Sequence, residues 1–340
     1  MNQFSGVGLY LLVDEKHDTN RKMGRQVSTS SFVNHISDSP DVNIITYSQY
    51  LNPNWQPDSD LKVLFAYDPN ISLLAHRRQW HDSRSFSIVG ITHTLSTPSP
   101  LRFIPSLRNA DLYPWDALIC TSSCAQSAIH QQFNYQDNLL LQRGGTPAAR
   151  IKLPIIPLGC DSSYFNNNLN KKSSRDKLSI DDVNCFVLLW TGRLEQHCKA
   201  HQSSTFRVTQ ELATLNPSVQ IYLLIYGTEV MPGTIQALDE AAKFIAPDVN
   251  VIFLDGNDPA LSFCALAASD VFVSFADSFQ ETFGLTPIEA MASGLPTIST
   301  YHAGIPNAIR HNKNGILIKE KDVLGLKESI NKIIKDKDFR

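Results

Sequence analysis

No apolar run in this sequence approaches the ~20 residues that a membrane-spanning helix needs. Its first eighteen residues, MNQFSGVGLYLLVDEKHD, hold an apolar stretch of only seven, Val7 to Val13. A basic leading segment and a small-residue cleavage site are both missing, so this stretch reads as a strand and not as a signal peptide. A basic excess is missing too. Lys and Arg number 30 against 33 Asp and Glu, for a net charge of -3 and a pI near 6.4. Nucleic-acid-binding domains usually carry a large positive surplus, which argues against that partner. The short basic pairs Arg77-Arg78 and Lys171-Lys172 read as solvated loop charges. The six cysteines (Cys120, Cys124, Cys160, Cys185, Cys198, Cys264) form no CxxC pair. Most lie in apolar surroundings, as small buried hydrophobes do. That pattern suits a reducing cytoplasm and gives no reason to expect zinc or another metal. No short internal repeat is visible.

What is present is an ordinary globular balance, 42% hydrophobic and 19% charged, over 340 residues. One core rarely grows that large, so two domains are expected. Apolar runs at 7–13, 42–47, 61–67, 86–92, 116–121 and 151–157 read as strands of a first unit. Runs at 185–191, 219–226, 249–254, 270–275, 295–300 and 315–318 read as strands of a second. They are apolar throughout and do not alternate, which marks strands covered on both faces, as in parallel sheets under helices. The spans between them (28–38, 123–133, 202–215, 234–246, 259–268, 287–293, 321–335) suit crossover helices. The fold class is therefore α/β, with two Rossmann-like parallel-sheet domains, 1–160 and 183–340. The polar stretch 161–182, rich in Asn, Ser and Lys, reads as the connection. Ligands of open α/β sheets bind beyond the carboxyl ends of the strands, so a cleft between two such sheets is the expected place for chemistry.

The most informative segment is SFADSFQETFGLTPIEAMASGLP, 274–296. Thr286 precedes Pro287 and stands three residues before Glu289. This spacing predicts a capping box with proline at the first helical position. The unpaired amides of such a helix start cradle phosphate, and Gly284 lets backbone approach a ligand closely. Glu281 in the loop and Glu289 in the helix would each accept hydrogen bonds from vicinal hydroxyls. Taken alone, Glu289 equally suits the reciprocal half of the cap, and Glu281 a solvated loop charge. A second segment, LLWTGRLEQHCKAH at 188–201, ends an apolar strand in Gly192-Arg193, with Lys199 beyond it. Two cations at a strand's carboxyl end would neutralise a departing diphosphate without a metal. Alone, they also suit two surface cations.

The run ETFGLTPIEAMASGLP, with the later HAGIPNAI and HNKNGILI, resembles the donor-site signature of retaining glycosyltransferases of family 4, which have the GT-B fold. Both acids, the Phe-Gly-Leu between them, and Gly304 and Gly315 match that pattern. The resemblance implies transfer of a sugar from a UDP- or GDP-type donor to an acceptor hydroxyl, with no metal and no separate cofactor. It implies that Glu281 holds hydroxyls of the transferred sugar, that Glu289 holds the ribose, and that the amides of Phe283, Gly284, Leu285 and Thr286 hold the phosphates. Arg193 and Lys199 would take the leaving diphosphate. His93, at the tip of the strand in GITHTLS, would face donor sugar and acceptor, although a strand-end histidine is often only structural. The family's first loop carries paired glycines, and here Gly24, beside Arg25, is the single candidate. Family members close with a helix crossing back onto the first domain, and the sequence stops at Arg340 without an evident one. Other enzymes of this scaffold (a nucleotide-sugar epimerase, a sugar-phosphate synthase) or an inactive nucleotide-sugar-binding subunit remain open. So do saccharide, lipid-linked glycan and other hydroxyl acceptors, and peripheral membrane contact from a cytoplasmic location.

Overall fold

The computed structural model describes residues 8–13, 42–95, 98–165, 170–181, 183–195, 199, 201–276 and 281–336. Two compact units divide the chain at Pro157 and Leu158. The candidate Gly24, with Arg25, the helical span at 28–38 and Cys198, lies outside the described residues.

Unit one runs β1 (Gly8–Val13), β2 (Val42–Thr46), α1 (Tyr47–Leu51), β3 (Leu61–Ala66), α2 (Ser72–Arg78), β4 (Ser87–Ile91), α3 (Pro98–Ser106), β5 (Ala117–Ile119) and α4 (Ser123–Gln142). Its sheet is parallel in the order β2-β1-β3-β4-β5. The run 151–157 does not become a sixth strand. It touches β5 only through isolated bridges at Lys152 and Ile155. Pro154 accepts from the Cys120 amide but has no N–H to return, so a regular ladder cannot form.

Unit two runs α5 (Ser162–Phe165), α6 (Lys171–Lys177), β6 (Cys185–Thr191), α7 (Ser203–Leu215), β7 (Gln220–Gly227), α8 (Thr234–Ile245), β8 (Asn250–Asp255), α9 (Pro259–Ala268), β9 (Val271–Ser274), α10 (Leu285–Ala292), β10 (Thr297–Thr300), α11 (Ile305–Ala308), β11 (Ile316–Ile318) and α12 (Val323–Lys335). The six strands are parallel in the order β11-β10-β9-β6-β7-β8. This is the doubly wound order, with its switch point between β6 and β9. All seven residues of β6 are buried. Phe186, Leu188 and Trp190 enter the core on one face, and Val187 and Leu189 enter the core on the other. Period-two geometry thus turns a continuous apolar run into a strand covered on both sides.

Of the two basic pairs, Lys171-Lys172 is exposed, at the start of α6 and not in a loop, whereas Arg77-Arg78 is buried. Arg78 closes α2 and is fully buried, giving bidentate hydrogen bonds to Asp116 at 2.6 and 2.8 Å. The same carboxylate accepts from the amides of Ile88 and Tyr113. Arg77 is buried as well, donating to the carbonyls of Asn52 and Trp55 and lying over the Trp80 ring. Nor is 161–182 bare connection. Within α6, Arg175 is buried and donates to Asp270 at 2.8 Å, and Lys171 reaches the other oxygen of that carboxylate at 2.6 Å. Asp270 also accepts from the Val187 amide of β6. Each unit thus carries an aspartate one residue before a strand, clamped by a helix-borne arginine and capping the neighbouring strand's amide. A buried carboxylate is tolerated there because every strong partner is in place.

Removing one member of such a pair leaves a buried charge uncompensated, at about 3–5 kcal/mol. Arg78→Met is expected to lower the denaturation midpoint of unit one substantially, followed by tryptophan fluorescence at Trp55, Trp80 and Trp115. An unchanged midpoint would show that the clamp contributes nothing.

Candidate functional site

The loops leaving β6 and β9, neighbours at the switch point of unit two, bring a cation and a carboxylate into contact. Lys199 Nζ lies 2.5 Å from Glu281 Oε2, across 82 residues of sequence. Both side chains are largely withdrawn from solvent, 21% exposed for Lys199 and 11% for Glu281. Two glycines fix this meeting. The amide of Gly192 donates to the Tyr226 carbonyl, and a Cβ there would stand 3.1 Å from the Trp190 ring and 3.7 Å from the Lys199 stem. The lysine therefore lies back across the end of β6. On the other side, the Gly304 amide donates to the Glu281 carbonyl at 3.1 Å. A Cβ on Gly304 would overlap the Thr282 carbonyl and come within 2.7 Å of Phe283 Cα. Only glycine lets the loop after β10 lie flat against the loop that carries Glu281. Sequence pattern marked Gly304 as a matching position without showing this role.

Arg193, two residues beyond β6, is more open, 52% exposed, with Glu195 Oε2 at 3.5 Å. It shares the loop of Lys199 and stands at the same strand end, as the sequence suggested.

The helix start differs from expectation. Gly284, at φ +91°, is the N-cap, and α10 begins at Leu285. Thr286 occupies the second helical position, Pro287 the third, and no side chain caps the helix. The capping box predicted for Thr286 and Glu289 is therefore not formed. The reason is the left-handed turn at Gly284, which sends the chain into the helix two residues before the threonine could cap it. Proline at the third position costs nothing, since that amide has no partner within the helix in any case. The consequence favours anion binding: the amides of the first turn keep their orientation, and no side-chain cap takes the positive dipole end. A Cβ at Gly284 would stand 3.2 Å from Ile305 Cγ1, so α11 backs the turn. His302, just before it, pairs with Glu320 at 2.5 Å.

Glu289 sits half-buried within α10, apart from Glu281. It lies beside Cys160, whose thiol accompanies the Ile288 carbonyl at 3.9 Å. Burial, then the Glu289 and Asp161 carboxylates, push the Cys160 pKa up, so this thiol stays protonated and is no nucleophile. Nothing in the sequence pattern indicated that neighbour.

In unit one, His93 follows β4 and is half-buried. Its Nε2 lies 3.0 Å from the Tyr67 carbonyl, and the two rings meet edge to face at 4.5 Å. A carbonyl only accepts, so Nε2 carries the hydrogen and Nδ1 of the neutral ring is left as an acceptor.

The chain is similar to D-inositol 3-phosphate glycosyltransferase of Corynebacterium jeikeium, 26% identical over 199 residues that make up 58% of this chain and 46% of that one. It is also similar to N-acetyl-alpha-D-glucosaminyl L-malate synthase of Bacillus anthracis, 32% identical over 132 residues, 39% of this chain and 33% of that one. The chain spans about half the length of the D-inositol 3-phosphate glycosyltransferases it matches. Among solved structures, Anabaena HepE in complex with UDP and glucose superposes with a TM-score of 0.65 at 18% identity, covering 97% of this chain and 90% of that one. A glycosyltransferase from Rickettsia africae gives 0.66 at 13% identity, covering 96% and 88%. At such identities the likeness establishes the fold, GT-B, with its two Rossmann-like parallel-sheet domains. Residues 184–340 match the family described as glycosyl transferases group 1.

Proposed function

We propose that this protein is a retaining glycosyltransferase that moves a sugar from a UDP- or GDP-type donor to an acceptor hydroxyl without a metal. The observation that carries the reading is the Lys199–Glu281 contact at the switch point, within the same loop system that leads into the uncapped start of α10. The amides from Phe283 to Thr286 would bind the diphosphate, with Glu289 on the ribose and Glu281 on the hydroxyls of the transferred sugar. The structural relative HepE was solved with UDP and glucose, which agrees with a donor of this kind.

The chemistry asked of unit two is charge stabilisation. As the anomeric C–O bond breaks, its electrons pass to the diphosphate, and Lys199 and Arg193 would hold the charge that develops. A unit pair at about 4 Å attracts by about 4 kcal/mol at an effective dielectric of about 20, so two fixed cations lower the barrier appreciably. The acceptor oxygen attacks from the face the leaving group vacates, and a departing phosphate oxygen takes its proton. Retention then needs no covalent nucleophile. His93, with Nδ1 open as an acceptor, would orient the acceptor hydroxyl.

Two experiments test this. Lys199→Ala and Glu281→Ala are each expected to keep the circular dichroism of the native protein while lowering transfer by roughly 10²–10³-fold. Normal turnover in either would refute the assignment. Gly304→Ala must shift the Glu281 loop, and a displacement near 1 Å costs roughly a hundredfold. That variant is expected to lose transfer while unit one unfolds as before. Full activity would mean that Glu281 placement does not matter.

A further inference from the structure

The turn that presses on the Glu281 loop is held in a conformation that its own residues resist. Ala303 has φ +48°, in the left-handed region. Around it the Ile305 amide donates to the His302 carbonyl at 3.1 Å, and Gly304 follows at φ -85°. A hydrogen-bonded turn with positive φ at its first central residue alone ordinarily has glycine there. A Cβ disfavours that conformation roughly tenfold against the ordinary backbone. Contacts on either side of Ala303 hold it in place. The Tyr301 amide donates to the Ile318 carbonyl at 2.6 Å, one residue past the end of β10. His302 Nδ1 lies 2.5 Å from Glu320 Oε1, and an ionised carboxylate only accepts, so Nδ1 carries the hydrogen. Glu320 is itself fixed. The Asp322 amide donates to the Lys319 carbonyl at 3.2 Å, and Asp322 Oδ1 caps α12 by accepting from the Gly325 amide at 2.8 Å.

From this geometry we infer that His302 and Glu320 are positioning residues for Glu281, their pair doing for the turn at Ala303 what a glycine there would do unaided. The inference rests on the transferase reading, which gives Glu281 its role, and names what keeps that acid in register. The line of contact is short. The cap of α12 fixes Glu320, Glu320 holds His302, and His302 closes the turn whose Gly304 amide donates to the Glu281 carbonyl at 3.1 Å. Without the pair, Ala303 relaxes toward negative φ and carries Gly304 off the Thr282 carbonyl against which it lies. The Glu281 carboxylate then loses the backbone contact that places it against Lys199. Glycine at 303 adopts positive φ at no steric cost, so with it the pair becomes dispensable.

Glu320 is the residue to change, because its side chain is 45% exposed and its loss opens no cavity, whereas His302 is 12% exposed. The full chain is assayed for hydrolysis of UDP-glucose, UDP-N-acetylglucosamine, UDP-galactose and GDP-mannose, and the probe that the native protein cleaves fastest is kept. On samples with native circular dichroism, Glu320→Ala should lower kcat about tenfold. Glu320→Gln, which keeps an accepting oxygen, should stay within about threefold of native, and so should the double variant Glu320→Ala with Ala303→Gly. Native turnover in Glu320→Ala, or no recovery when Ala303→Gly is added, would overturn the inference while the native protein still cleaves its donor. A native protein that cleaves none of the probes would instead defeat the transferase reading, and the positioning role with it. One arm is independent of turnover. Ala303→Gly alone should raise the thermal unfolding midpoint by about 2 °C, and an unchanged or lowered midpoint would show that the turn bears no strain.

Discussion

Everything in the candidate site of unit two turns on one cation and one carboxylate held together where no regular element supports either. Lys199 and Glu281 lie on loops, and their 2.5 Å contact exists because β6 and β9 are neighbours whose following loops leave the same edge of the sheet. Strand pairing sets the distance between the loops, and backbone contact sets the last ångström. Gly192 leaves room for the Trp190 ring beside the lysine stem, and Gly304 lets the loop after β10 press on the chain at 281–283. In the resting protein each charge answers the other. Under the proposed function, an arriving diphosphate would offer Lys199 a stronger anion, and sugar hydroxyls would offer Glu281 replacement donors. Binding would then exchange partners and not create charges in a dry site, which would keep the desolvation cost modest.

The two ends of each sheet do different work. At the amino ends, Asp116 with Arg78 and Asp270 with Arg175 clamp a helix to a strand and satisfy a neighbouring strand's amide. Those carboxylates are buried with both oxygens accepting, so they serve stability. At the carboxyl ends stand His93, Arg193, Lys199, Glu281 and the uncapped start of α10. A parallel sheet makes this division natural, because every strand delivers its loop to the same edge. Rigidity at one edge is what allows precision at the other.

Much of this was legible in the sequence. Unbroken apolar runs placed the parallel strands, since burial on both faces leaves no alternation to mislead. Glu281, Glu289, Arg193 and Lys199 were singled out by resemblance to a family signature, since spacing alone suited a helix cap, a loop charge and surface cations as well. The helix cap was misread because Thr286, Pro287 and Glu289 fit the rule for a capping box, while the winning feature was the left-handed backbone at Gly284. Spacing cannot report a dihedral angle. Arg77-Arg78 was read as solvated because charge normally is, and 161–182 as the connection between domains. The burial of Arg78 and Arg175 depends on Asp116 and Asp270, 38 and 95 residues away, respectively. The run 151–157 looked like a strand by hydrophobicity, yet Pro154 removes the amide a ladder needs. The contacts of Tyr67 with His93 and of Cys160 with Glu289 are tertiary, and no local pattern encodes them.

The most direct measurement is a structure of the full chain with bound UDP. The account predicts that the β-phosphate rests on the amides of the first turn of α10, and that Lys199 Nζ has moved from Glu281 onto a diphosphate oxygen. A diphosphate bound elsewhere, or bound there with the Lys199–Glu281 contact intact, would contradict it.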